Sequence, residues 1–216
     1  MSKKYEIFLF DLDGTITDSA LGITNSVMYA LKKFGIEETD RTKLYKFIGP
    51  PLTESFEKFY GFTKEQSLDG VKYYREYYHD KGIYENRVYD GVEEVLKKIN
   101  EAGKQAIVAT SKPEKYAKII IDHFHLTQYF ACVAGMEMDG GRGTKAQVIT
   151  YALEKNDITD KSKVLMIGDR EHDVIGAHEN GLDCLSILYG FGSRKEFEEA
   201  GADYIRENVE DILQFV

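Results

Sequence analysis

Short, unbroken apolar runs recur along the chain, and each stops abruptly at glycine or polar residues. Residues 5–10 (YEIFLF), Lys104–Thr110, Tyr129–Gly135, Lys163–Gly168 and Asp183–Leu188 are too uniformly apolar to have one wet face, so they read as strands of a sheet covered on both sides. Segments 91–102, 113–123, 144–155 and 171–180 lie between or after them with helical spacing. This alternation predicts an α/β fold with a parallel sheet, in which ligands bind beyond the carboxyl ends of the strands. Between residues 16 and 88 the pattern changes: Ala20–Phe34, Leu52–Tyr60 and Lys64–Lys81 have helical spacing, and no core-type strand occurs. The expectation is a core made of residues 1–15 and 89–216, interrupted by a helical lobe at 16–88. Thr15–Thr17 and Asn86–Asp90 would connect the two. Asp18-Ser19 is the expected cap of the first lobe helix, and Phe47-Ile48-Gly49-Pro50-Pro51 divides the lobe, because proline stops helices.

Composition narrows the class. Of 216 residues, 43% are hydrophobic and 30% charged, and no apolar run approaches the ~18 residues of a membrane span. The start, Met1-Ser2-Lys3-Lys4-Tyr5-Glu6, lacks the apolar stretch of a signal peptide, so a cytoplasmic location is expected. A formal charge of −9 opposes binding to nucleic acid or anionic membranes. Cys132 and Cys184 each sit in an apolar run and are expected to be buried free thiols. A monomer is the simplest expectation.

The candidate chemistry lies at strand ends. Asp11 and Asp13 stand one residue apart just after the first strand, and Asp169 and Asp173 follow the strand KVLMIG, where four-residue spacing predicts one helical face. Two acidic clusters on two strand ends of one sheet can converge, and oxygen-only donors of this kind suit magnesium, which keeps waters and binds substrate phosphate. The plainer reading, that these acids only cap helices, explains either pair alone but not both.

Asp11-Leu12-Asp13-Gly14-Thr15 resembles the first motif, DxDGT, of the haloacid dehalogenase superfamily. Ile107–Pro113 (IVATSKP) is similar to its second motif, an apolar strand ending in Thr or Ser. Lys145, opening a helix, fits the third, and Gly168–Asp173 (GDREHD) fits the fourth. The four motifs stand in the family's order, with a helical insertion between the first and second. The wording, including FIGPP and YGFGS, is most similar to the branch of phosphoglycolate-phosphatase-like and 5′-nucleotidase-like proteins. The resemblance implies a Rossmann-like core, a helical cap and a Mg²⁺-dependent phosphatase acting on a small phosphorylated metabolite.

It also implies roles. Asp11 would be the nucleophile, forming an aspartyl-phosphate, and Asp13 the acid and base; an acid at that position distinguishes the family's phosphatases from its dehalogenases. Magnesium would be held by Asp11, the carbonyl of Asp13 and Asp169, with Asp173 as ligand or orienter. Thr110, with the amides of Ser111 and of Leu12 or Gly14, would hold the phosphoryl oxygens, and Lys145 would clamp the phosphate and Asp11. Lys112 faces either phosphate or solvent. Gly49 belongs to a kink resembling the family's substrate loop, and Tyr189–Ser193 would line the entrance. The tyrosine pairs Tyr73-Tyr74 and Tyr77-Tyr78 read first as core residues. A 5′-nucleotide is the favoured substrate, phosphoglycolate or a sugar phosphate the runner-up. A phosphomutase and a non-catalytic phosphate-binding regulator on the same fold are the alternatives.

Overall fold

The computed structural model describes residues 4–138 and 141–216, so Met1–Lys3 of the amino-terminal stretch lie outside the described residues. In chain order the strands and α-helices are β1 (Ile7–Phe10), β2 (Thr17–Asp18), α1 (Ala20–Lys33), α2 (Leu52–Tyr60), α3 (Lys64–Tyr77), β3 (Arg87–Val88), α4 (Val92–Glu101), β4 (Gln105–Pro113), α5 (Glu114–His123), β5 (Phe130–Met136), α6 (Lys145–Lys155), β6 (Val164–Gly168), α7 (Glu171–Glu179), β7 (Asp183–Ile187), α8 (Arg194–Ala200) and β8 (Tyr204–Arg206). The chain forms two compact units, one running up to Thr17 and resuming at Val88–Val216, the other Asp18–Arg87.

In the first unit, six parallel strands are ordered β5-β4-β1-β6-β7-β8, with helices on both sides. β1 is central: the chain passes from it out to β4 and β5 on one side, then crosses from β5 to β6 on its other side and continues outward, so the strand order reverses direction beside β1. Such a switch leaves a crevice beyond the strand ends. Leu9, Ile107, Ala109 and Met166 of the sheet pack with Val148 and Ile149 of α6 and with Val174 and Ala177 of α7, all without solvent exposure. That layer anchors the two helices whose first turns carry Lys145 and Asp173. The strand β8 and helix α8 were not anticipated: β8 has three half-buried residues, too few to show a period. Cys184 is buried, but Cys132 is only half-buried because β5 is the edge strand.

The second unit is helical and holds an aromatic core. Phe56 stacks on Phe62 with centroids 5.5 Å apart, and Phe34 lies 4.6 Å from Phe62. Tyr74 and Tyr78 are buried and stacked on each other, as expected of core residues. The helix expected to reach Lys81 changes at Tyr78 into one π-helical turn ending at Gly82. There α1 passes so closely that a Cβ on Gly22 would lie 1.9 Å from the carbonyl oxygen of Gly82. A 3₁₀ segment, Arg41–Phe47, was also not anticipated. The cap of α1 differs in detail: Ser19 occupies the cap position without a side-chain bond, while Asp18 accepts from the Ala20 amide at 3.2 Å. Gly49 follows the 3₁₀ segment with φ +103°, a left-handed conformation directly before two prolines.

Candidate active site

Beyond Phe10 the chain makes one further sheet bond, from the Asp11 amide to Ile167 at 2.9 Å, and then folds back on itself. The Leu12 carbonyl accepts the amides of Thr15, Ile16 and Thr17, and the Gly14 amide donates to the Thr17 carbonyl at 2.7 Å. Leu12 is fully buried. The amide of Gly14 is therefore spent inside the loop, and its expected use as a phosphate donor is corrected. Gly14 serves a steric purpose instead: its φ is +87°, and a Cβ would lie 2.1 Å from Oδ2 of Asp169.

Three buried carboxylates converge beside this loop. Asp11, Asp169 and Asp173 each present an oxygen, and these atoms all lie within 4.8 Å of one another. Lys145, the first residue of α6, reaches Asp11 Oδ1 at 2.8 Å, Asp173 Oδ1 at 2.7 Å and the Ala109 carbonyl at 3.0 Å. A capping box between Thr144 and Gln147 fixes the start of that helix. Burial alone would weaken the ammonium, but Asp11 and Asp173 outweigh it and hold its pKa above the ordinary lysine value. Asp173 accepts the amides of Asp169 and Arg170 through Oδ2, at 3.1 Å each. Asp169 itself precedes the helix and does not share a helical face with Asp173. That expectation fails because the chain is still extended at Arg170, the cap residue. Gly168 makes room for this acid, since a Cβ there would lie 2.2 Å from the Asp173 carboxyl carbon.

Asp169 accepts from the Thr15 hydroxyl at 3.2 Å and from the Phe191 amide at 2.8 Å. Burial, then the neighbouring Asp11 and Asp173, push its carboxyl well above the usual aspartate range. Three buried acids against one buried lysine leave negative charge uncompensated, and the donors are all oxygen. Both features fit a hard divalent cation such as Mg²⁺.

The second acid of the loop stands apart from this cluster. Asp13 Oδ2 accepts from the Lys112 ammonium at 2.5 Å, both side chains being buried. Its Oδ1 is buried and has no hydrogen-bond partner among the described residues. Lys112 therefore faces Asp13, whereas phosphate or solvent was expected. Thr110 is buried at the end of the regular β4 ladder, with its Oγ1 accepting the Lys112 amide at 3.2 Å; Ser111, next to it, is half-buried. His172 is half-buried on α7. Gly49 lies on the helical unit.

Several residues of the site were missed or undervalued. Tyr189 donates to the Thr15 carbonyl at 2.9 Å, and a Cβ on Gly190 would lie 2.4 Å from that of Asp169. The segment expected to line the entrance thus packs on Asp169. Gly176, inside α7, makes room for the stem of Lys145, 2.7 Å from where its Cβ would be. A glycine in a helix interior costs ~1 kcal/mol relative to alanine, and that cost was the available signal. Gly14→Ala and Gly190→Ala are each expected to lower stability by about 2 kcal/mol or more and to weaken metal binding, read by thermal denaturation with and without Mg²⁺.

A family model described as haloacid dehalogenase-like hydrolase matches residues 8–187. The chain belongs to the haloacid dehalogenase-like hydrolases. It is a hydrolase of the phosphatase kind. A 5′-nucleotidase of Pseudomonas aeruginosa is 44% identical over 193 residues, covering 89% of this chain and 87% of that protein. The tyrosine-protein kinase PtkA of Mycobacterium tuberculosis is 35% identical over 187 residues; the match covers 87% of this chain and 63% of that protein. A crystal structure of a predicted phosphatase from Clostridium acetobutylicum superposes with a TM-score of 0.94 at 47% identity, covering 98% of each chain. No described helix is long and apolar enough to cross a membrane.

The hydrolase's acid cluster gives a stability prediction. Because the pKa of Asp169 is raised in the folded protein, the unfolded chain loses this proton first as pH rises past 3.8, and stability falls from there to the raised value. In metal-free protein at neutral pH, Asp169→Asn is expected to raise Tm by about 3–8 °C, on the order of 1–2 kcal/mol for a chain this size. The gain should shrink toward pH 4.

Proposed function

We propose that this hydrolase is a Mg²⁺-dependent phosphomonoesterase working through an aspartyl-phosphate on Asp11, with a 5′-nucleotide as favoured substrate. The observation that carries the proposal is the division of labour between two acids of one loop. Asp11 is bound to Lys145 within the acid cluster, whereas Asp13 is held by a different lysine and keeps one oxygen unpartnered.

In the first step an oxygen of Asp11 attacks phosphorus, the bond from phosphorus to the ester oxygen breaks, and Asp13 gives that oxygen its proton. In the second, Asp13 takes a proton from water, the water oxygen attacks phosphorus, and the bond to Asp11 breaks. Phosphate leaves and the carboxylate is restored. Lys145 orients Asp11 and neutralises part of the charge, and the Thr110 hydroxyl and Ser111 amide bind phosphoryl oxygens. Bound by Asp11, Asp169 and the Asp13 carbonyl, with Asp173 orienting, Mg²⁺ would lower the repulsion between carboxylate and phosphate. Selection among esters is assigned to the helical unit, through the turn at Gly49.

The nucleotide preference is supported by the 44% identity to a protein named 5′-nucleotidase. Relatives named phosphoglycolate phosphatase are more distant, for example 22% identical in Vibrio parahaemolyticus. The test is phosphate release from nucleoside 5′-monophosphates, phosphoglycolate and sugar phosphates, with and without Mg²⁺. Mg²⁺-dependent release with nucleotides preferred is the expected result. No release from any ester by folded protein would overturn the proposal in favour of a mutase or a binding role.

A further inference from the structure

The second motif does not end as a plain strand. Thr110 pairs with Gly135 and Pro113 pairs with Met136, so three steps along β4 match one step along β5, leaving Ser111 and Lys112 as two extra residues in a bulge. Bulges re-aim side chains beside active sites. This one is built from both sides. Thr110 Oγ1 ties the Lys112 amide from within, and on the facing strand Gly135 is so close that a Cβ would lie 2.6 Å from the Lys112 carbonyl oxygen and 2.7 Å from Glu114 Cα. Arg142 ties down the far side, donating to the Gly135 carbonyl at 3.1 Å and to Glu114 at 3.2 Å. The outcome is a buried ammonium 2.5 Å from Asp13 Oδ2, while Oδ1 stays without a partner among the described residues.

We infer that Lys112 is a positioning residue, which holds Oδ2 of Asp13 so that Oδ1 alone exchanges the proton with the leaving oxygen and with water. A carboxylate turns readily about its terminal torsion, and a short charge-assisted bond to one oxygen removes that freedom. Lys112 then acts through Asp13, not on the phosphate. The role rests on the phosphomonoesterase reading above.

The test compares the burst of leaving group in the first turnover from p-nitrophenyl phosphate, whose phenolate departs without a proton, and from a nucleoside 5′-monophosphate, whose alkoxide needs one. Lys112→Met is expected to slow the burst about 10²-fold with the nucleotide but less than about tenfold with the nitrophenyl ester, with KM little changed. Lys112→Gln, which keeps a donor for Oδ2, should recover much of the nucleotide rate. In an Asp13→Asn background, Lys112→Met should cost nothing more. Should Lys112→Met fail to fold, Lys112→Gln and Gly135→Ala carry the same comparison, both expected to hurt the nucleotide more. Equal losses on both esters with a raised KM, or full additivity with Asp13→Asn, would overturn the inference and make Lys112 a phosphate ligand. Wild-type protein that releases no phosphate from either ester would instead sink the phosphatase reading, and this role with it.

Discussion

Asp11→Asn is expected to lower phosphate release at least about 10⁴-fold while leaving the fold intact, because the amide keeps the side chain's shape but cannot attack phosphorus. The Lys145 ammonium, 2.8 Å from Asp11 Oδ1, can still donate to the amide oxygen, so packing around the cluster should hold. The decisive readout is covalent. Wild-type protein quenched during turnover of a ³²P-labelled ester should carry label released by hydroxylamine, as an acyl phosphate does, and Asp11→Asn should carry none. Normal turnover by this variant would remove the nucleophile from the mechanism.

Asp13→Asn is expected to separate the two halves of the reaction. Losing general acid and base costs about 10²–10⁴-fold, and the cost falls unevenly. A nitrophenyl ester, needing no proton on its leaving oxygen, should still phosphorylate Asp11, but without the base water attacks slowly. The labelled enzyme should therefore accumulate toward one phosphate per chain. With an alkyl ester the first step should fail as well, and no label should build up. Rapid hydrolysis of the nitrophenyl ester with no accumulation would show that Asp13 is not the base.

These predictions follow from residues whose types and order were visible in the chain. The uninterrupted apolar strands announced a sheet covered on both faces, because such a run cannot keep one side wet. The acids Asp11, Asp13, Asp169 and Asp173 stood out as candidates for chemistry, because carboxylates gathered at strand ends repel one another unless positive charge lies between them. The break in pattern from residue 16 likewise announced a helical insertion. Local signals failed where an element was too short to show a period, as in β8, or was shaped by a neighbour, as where α3 passes into a π-helical turn against α1.

Pairing was decided by tertiary structure. Lys145 bridges Asp11 and Asp173, 134 and 28 positions away along the chain, only because β1, α6 and α7 meet at one end of the sheet. The partnership of Lys112 with Asp13 depends on a bulge, a registry fact that exists only between two strands. Gly14, Gly176 and Gly190 looked like ordinary punctuation until the atoms they make room for were in place. Residue types and local order are carried by nearest neighbours and hydrophobic period, and so they are legible one segment at a time. Which charge meets which, and which atom is left without a partner, depends on distances between segments remote in sequence, and those exist only once the chain has folded.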